Sequence, residues 1–96
     1  MQIAYVIGTT VATIKDEKLR GRKLLIVREA DLEGKMTGKP FIAVDTVDAG
    51  PGELVVITEG SGARQTDFTQ NIPVDAVIVA VIDSLEVGGK VTFNKS

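Results

Sequence analysis

The chain contains no cysteine, no histidine and no tryptophan. Those absences exclude disulfide staples, thiol nucleophiles, Cys/His metal sites and every mechanism that needs an imidazole base. Aromatic residues make up 4% of the chain, and 11 Lys and Arg nearly balance 13 Asp and Glu for a net charge of −2. So few of each cannot build a basic groove with aromatic platforms, which makes nucleic acid and anionic membrane surfaces poor partners. No apolar run approaches the roughly 18 residues needed to cross a bilayer, and Met1-Gln2-Ile3-Ala4-Tyr5 lacks the basic-then-apolar pattern of a secretory signal. A cytoplasmic location is expected.

What the chain has in surplus is aliphatic residue: 44% of its 96 residues are hydrophobic, and the mean hydropathy is +0.18. A chain of this length forms one domain, residues 1–96, and buries only about 60–65% of its unfolded surface on folding. Val, Ile and Thr supply about a third of the residues, a composition suited to a pleated sheet, and no segment keeps a helical period beyond two turns.

Five main strands are expected: Gln2 to Ile14, Lys23 to Ala30, Phe41 to Val47, Glu53 to Thr58 and Ala76 to Ile82. Gly8 marks a bulge or close approach in the first. Gly34, Gly38 and Pro40 form a connection, and Asp48-Ala49-Gly50-Pro51-Gly52 places the third and fourth strands at hairpin spacing. A short helix fits only the polar stretch from Gln65 to Asn71, and Gly88-Gly89 can turn a closing hairpin into Val91-Thr92-Phe93. The pattern predicts an all-β fold, a small five-stranded Greek-key barrel of OB type with one short helix.

Barrel strands ordinarily alternate apolar and polar residues. Here the last main strand, Ala76 to Ile82, is aliphatic throughout, and in the first strand both Ile3, Tyr5, Ile7 and Ala4, Val6 are apolar. Strands apolar on both faces need cover on both, and no helix here is long enough to give it. A neighbouring subunit is the expected cover. One standard interface contributes on the order of 10 kcal/mol gross against an association cost of about 4–15 kcal/mol, so two faces per subunit, as in a ring, are favoured.

Constellations for chemistry are thin. Asp45, Asp48, Glu53, Glu59, Asp67, Asp75, Asp83 and Glu86 could in principle supply a hydrolytic pair, but they read as solvated strand ends and loops. Asp45 to Glu53 lacks the ligand spacing of a calcium loop. Gly50-Pro51-Gly52 and Gly60-Ser61-Gly62 lack the Lys-Ser/Thr and following helix of a phosphate cradle. Ser61 and Ser84 have no histidine base, and a lysine base such as Lys23 or Lys90 cannot be placed. Neither an enzyme nor a metal or cofactor site is expected; the second reading is an OB-type binding module for single-stranded nucleic acid or another ligand.

Three blocks resemble one family. Ile7-Gly8-Thr9-Thr10-Val11-Ala12-Thr13 with Leu19-x-Gly21-x-Lys23-Leu24-Leu25, then Val44 to Glu53 with Gly60-Ser61-Gly62-Ala63-Arg64, then Pro73-Val74-Asp75-Ala76 to Asp83, are similar to the EutN/CcmL vertex proteins of bacterial microcompartment shells. Asp48 stands where that family usually has glycine, and Gly62 where it often has serine. The resemblance implies a cyclic homopentamer, built from OB-like barrels, that caps the vertices of a polyhedral shell beside hexameric tiles. It further implies that Ala49, Gly50, Pro51, Gly52, Glu53 and Gly60, Ser61, Gly62, Ala63, Arg64 are subunit or shell contacts, with Gly50, Gly52 and Gly60 setting backbone geometry.

Overall fold

A computed structural model describes residues 1–59 and 75–95. The strands are β1 (Gln2–Thr9), β2 (Lys23–Ala30), β3 (Met36–Asp45), β4 (Leu54–Glu59), β5 (Ala76–Val81), β6 (Ser84–Val87) and β7 (Lys90–Asn94). The first five close a barrel in the order β1-β2-β3-β5-β4, and β6 with β7 forms a separate two-stranded sheet. All pairs are antiparallel except β3 and β5, where Val44 opposes Val77 and Asp45 opposes Ile78. This is the five-stranded Greek-key arrangement that the composition pointed to. The short helix expected between Gln65 and Asn71 lies outside the described residues.

Alternation does survive inside the barrel. Ala4 and Val6 of β1, Leu25 and Val27 of β2, Ala43 of β3, Val55 and Ile57 of β4, and Ala76 and Ile78 of β5 meet in one buried cluster. Alanines set against larger aliphatics let a barrel this narrow fill without voids.

Three strand boundaries and pairings differ from expectation. First, β1 stops at Thr9 rather than Ile14. Ile7 is bulged out of the ladder between Val6 and Gly8, and the Thr10 backbone N–H and hydroxyl then both donate to the Leu24 carbonyl, at 3.2 and 3.0 Å. Second, β3 begins at Met36, taking in Gly38 and Pro40. Met36 to Pro40 are exposed, so a proline there removes no buried ladder bond, and Arg28 Nε donates to the Gly38 carbonyl at 2.6 Å.

Third, β3 and β4 do not form a hairpin. The loop between them is fastened to β1 instead: Gly52 N–H donates to the Val6 carbonyl and Val6 N–H to the Glu53 carbonyl, both at 2.9 Å. That pair sets β4 against β1, with Gln2 opposite Ile57, and leaves the open edge of β3 to β5.

The outer wall is covered in part by the chain itself, which corrects the expectation that neighbours supply all of that cover. Leu85 and Phe93 of the β6–β7 hairpin pack with Ile3, Tyr5, Ala30, Leu54, Val56 and Ile82. Leu19, on a 3₁₀ turn at Glu17–Leu19 within the expected polar loop, packs with Leu24, Val44, Val77 and Val79. The hairpin turns at Gly88 and Gly89 as expected, with φ of 60° and 81°, the pair of positive angles that a two-residue hairpin loop of matching twist requires.

Phe93 seats on the β2–β3 turn. A Cβ added at Gly34 would lie 2.8 Å from Phe93 Cδ1, whereas one at Gly21 meets nothing within 4 Å, and both glycines have φ of 81°. Gly21→Ala therefore carries only the backbone penalty, about 1 kcal/mol. Gly34→Ala should lose about 2–3 kcal/mol because the ring must also move. Urea unfolding at fixed protein concentration measures both; equal losses would contradict the seating of Phe93.

Candidate functional site

The segment Ala49 to Glu53, singled out for contact, forms with Asp48 a tight loop held from within. Ala49 is fully buried and plugs the barrel end. Gly50 N–H donates to Glu53 Oε1 at 2.8 Å and Glu53 N–H to the Gly50 carbonyl at 3.2 Å. Two residues are left-handed, Asp48 at φ 58° and Gly52 at φ 91°. Glycine is free of strain there, while Asp48 needs a compensating contact. Of the five residues, Pro51 and Gly52 are exposed, and Gly50 and Glu53 are half-buried. Gly60, Ser61, Gly62, Ala63 and Arg64 lie outside the described residues.

The compensating contact at Asp48 is Lys23. Its ammonium donates to Asp48 Oδ1 at 2.9 Å and to the Ala49 carbonyl at 2.7 Å, and stands 3.3 Å from Asp45 Oδ2. The Asp45 side chain is 2% exposed, and its other oxygen accepts from Val47 N–H at 3.1 Å. The hydrogen bond to Asp48, aided by the one to Asp45, holds the Lys23 pKa above the usual lysine value. A general base at neutral pH needs the opposite shift, so Lys23 is a clamp rather than a catalyst. The hollow of about 250 Å³ beside it, lined by Gly21, Arg22, Lys23, Asp45, Thr46 and Asp48, is an open notch with its carboxylates already engaged.

On the other side of the loop, Lys95 Nζ lies 2.7 Å from Glu53 Oε2. The Lys95 bond, with the Gly50 N–H next in weight, holds the Glu53 carboxyl below the usual glutamate range, and the same pair raises Lys95. Asp45 and Glu53 are thus not the solvated carboxylates that the sequence suggested. Their partners, Lys23 and Lys95, are 22 and 42 residues away along the chain, and no local spacing marks such pairs.

Among the described residues, no group of three or more His, Cys, Asp or Glu is placed to hold a metal ion. Tyr5 and Phe93 pack in the outer cluster and Phe41 against the core. All three are partly buried in that packing, which leaves less ring face for stacking bases.

The linkage fixes a pH window for the loop. Glu53 is depressed, so its contribution is present above the ordinary glutamate pKa and is lost as pH falls through its lowered value. Lys23 and Lys95 are raised, so theirs persist below the ordinary lysine pKa and vanish only as pH rises through the higher values. Lys95→Met should bring the Glu53 titration back up toward the ordinary range, as read from its side-chain carboxyl ¹³C shift. An unchanged midpoint would remove Lys95 as the cause.

Residues 1–83 match the family model described as ethanolamine utilisation protein EutN/carboxysome. The carboxysome shell vertex protein CcmL of Nostoc sp. is 46% identical over 96 residues, covering 99% of this chain and 95% of that protein, and its solved structure superposes with a TM-score of 0.89. The microcompartment shell vertex protein EutN of Salmonella typhimurium is 38% identical over 95 residues, covering 99% and 96%. The pentameric microcompartment shell protein GrpN of Rhodospirillum rubrum is 40% identical, with a TM-score of 0.79 over 91% of this chain and 99% of that one. A closed barrel with a fastened β3–β4 loop, matched along nearly its whole length, places this chain in the EutN/CcmL family.

Proposed function

We propose that this chain is a structural shell protein: a single domain, residues 1–96, that assembles as a cyclic pentamer and occupies the vertices of a bacterial microcompartment shell in the cytoplasm. The observation that carries this reading is the end-to-end similarity to relatives named as shell vertex proteins, one of them described as pentameric. The role is mechanical. A flat sheet of hexagonal tiles cannot close, and a fivefold unit at each corner supplies the missing curvature; hexameric shell proteins are the proposed neighbours. A heterologous contact that closes on itself gives such a ring from identical chains.

The internal fastening of the 49–53 loop supports different work for its parts. Ala49, Gly50 and Glu53 set its shape, while the exposed Pro51 and Gly52 are free to touch another subunit or tile. Gly60, Ser61, Gly62, Ala63 and Arg64 are proposed contacts on motif similarity, and a guanidinium suits bidentate pairing across an interface.

Mixing the purified protein with a hexameric shell protein tests the role. Electron microscopy should show closed polyhedral particles where the hexamer alone gives sheets or tubes. The same open assemblies with and without this protein would contradict a vertex function.

A further inference from the structure

Among the described residues, the β6–β7 hairpin shares no ladder with the barrel, and a two-stranded sheet by itself is marginal in water. Side chains must therefore hold it in place. One grip is apolar: Leu85 and Phe93 pack on the cluster that contains Leu54, which is 1% exposed. The other is ionic and falls on the residue just before Leu54. Lys95 N–H donates to the Asp83 carbonyl at 2.9 Å, which closes the base of the hairpin one step beyond the Ser84–Asn94 pair. That bond fixes the Lys95 backbone, and the Lys95 ammonium lies 2.7 Å from Glu53 Oε2.

Glu53 is engaged at both oxygens. Oε1 accepts from Gly50 N–H at 2.8 Å while Oε2 accepts from Lys95. One carboxylate thus ties the backbone of the 49–53 loop to a hairpin 42 residues away. The Glu53 side chain is 25% exposed, so with a single partner it is free to swing toward water and release Gly50. Partners on separate oxygens remove that freedom. An ion pair open to water adds little to overall stability, and the effect of this one is local: it orders Gly50, directly before the exposed Pro51 and Gly52.

Neither Pro51 nor Gly52 has a polar side chain, so what they offer a neighbour is shape and backbone, and both depend on how the loop is posed. Ordering a contact segment before it meets its partner lowers the cost of binding. We propose that the β6–β7 hairpin is a strap that sets the pose of the 49–53 loop for assembly, with Lys95 as the positioning residue acting through Glu53. The assembly half rests on the vertex reading above; the strap half does not. Lys23 fastens the upstream end of the loop through Asp48 and the Ala49 carbonyl. Removing Lys23 would leave the Asp45 side chain, 2% exposed, without its cation, so the strap end is the one to release.

The test measures hydrogen exchange at the Gly50 amide in the full chain. Lys95→Met keeps an unbranched apolar stem and removes the charge. It should speed Gly50 exchange about threefold to tenfold while Val55 and Ile57, inside the barrel, exchange as in the wild type. Lys95→Arg should restore the wild-type rate. Lys90→Met, the same loss of charge at the turn end of the hairpin, should leave it unchanged. An unaltered Gly50 rate in Lys95→Met, no rescue by arginine, or an equal effect from Lys90→Met overturns the strap.

The assembly half is read by electron microscopy with the hexameric shell protein. About threefold more Lys95→Met protein than wild type should be needed to turn half of the sheets or tubes into closed particles. An equal requirement overturns the positioning role while leaving the vertex reading standing. Wild-type protein that closes no particles overturns the vertex reading and the positioning role with it, and the Gly50 exchange still decides the strap.

Discussion

A closed barrel of five strands can hide only one face of each strand, and here β1 and β5 carry apolar residues on both. Much of the remaining structure follows from that constraint. The inner face is filled by alanines and branched aliphatics, and closure removes the sheet edges that would otherwise recruit strands at random. The outer face is dealt with piecemeal: a hairpin seats Leu85 and Phe93 over one side, and a 3₁₀ turn lays Leu19 over another. Ile42 on the outer face of β3 is left exposed.

The β3–β4 loop shows how a few polar contacts set the topology. Two backbone bonds between Val6 and the residues Gly52 and Glu53 turn the chain from β3 toward β1. Lys23 and Lys95 then hold the loop from opposite sides through Asp48, Asp45 and Glu53. Individually exposed ion pairs contribute little to stability. Here their larger effect is geometric, since they fix a loop that has one fully buried side chain, Ala49, and two residues in the left-handed region. Asp48 occupies a position where the backbone favours glycine, and its carboxylate is held by Lys23 in exchange.

Composition and pattern sufficed for the class, for β2, for the interior residues of β1 and β4, and for the turn at Gly88 and Gly89, because aliphatic alternation and paired glycines act locally. The partners of β3 and β4 were not legible. Hairpin spacing is a local signal, and it lost to contacts with Val6, more than 45 residues earlier in the chain. The end of β1 was also misplaced, since Val11 to Ile14 have strand character but no partner strand among the described residues. The candidate contact loop was found through its motif; its dependence on Lys23 and Lys95 was hidden by their distance along the sequence. The cover supplied by Leu85 and Phe93 was missed for a related reason: hydrophobic patterning tells which residues seek burial, and only tertiary structure tells against what.

The central claim is that the functional unit is a closed ring rather than the 96-residue chain, and sedimentation equilibrium of the wild-type protein at low micromolar concentration tests it most directly. The account predicts a single species of about 51 kDa, five times the 10.2 kDa chain, in keeping with closed cyclic symmetry. A stable species at the mass of one chain would contradict it.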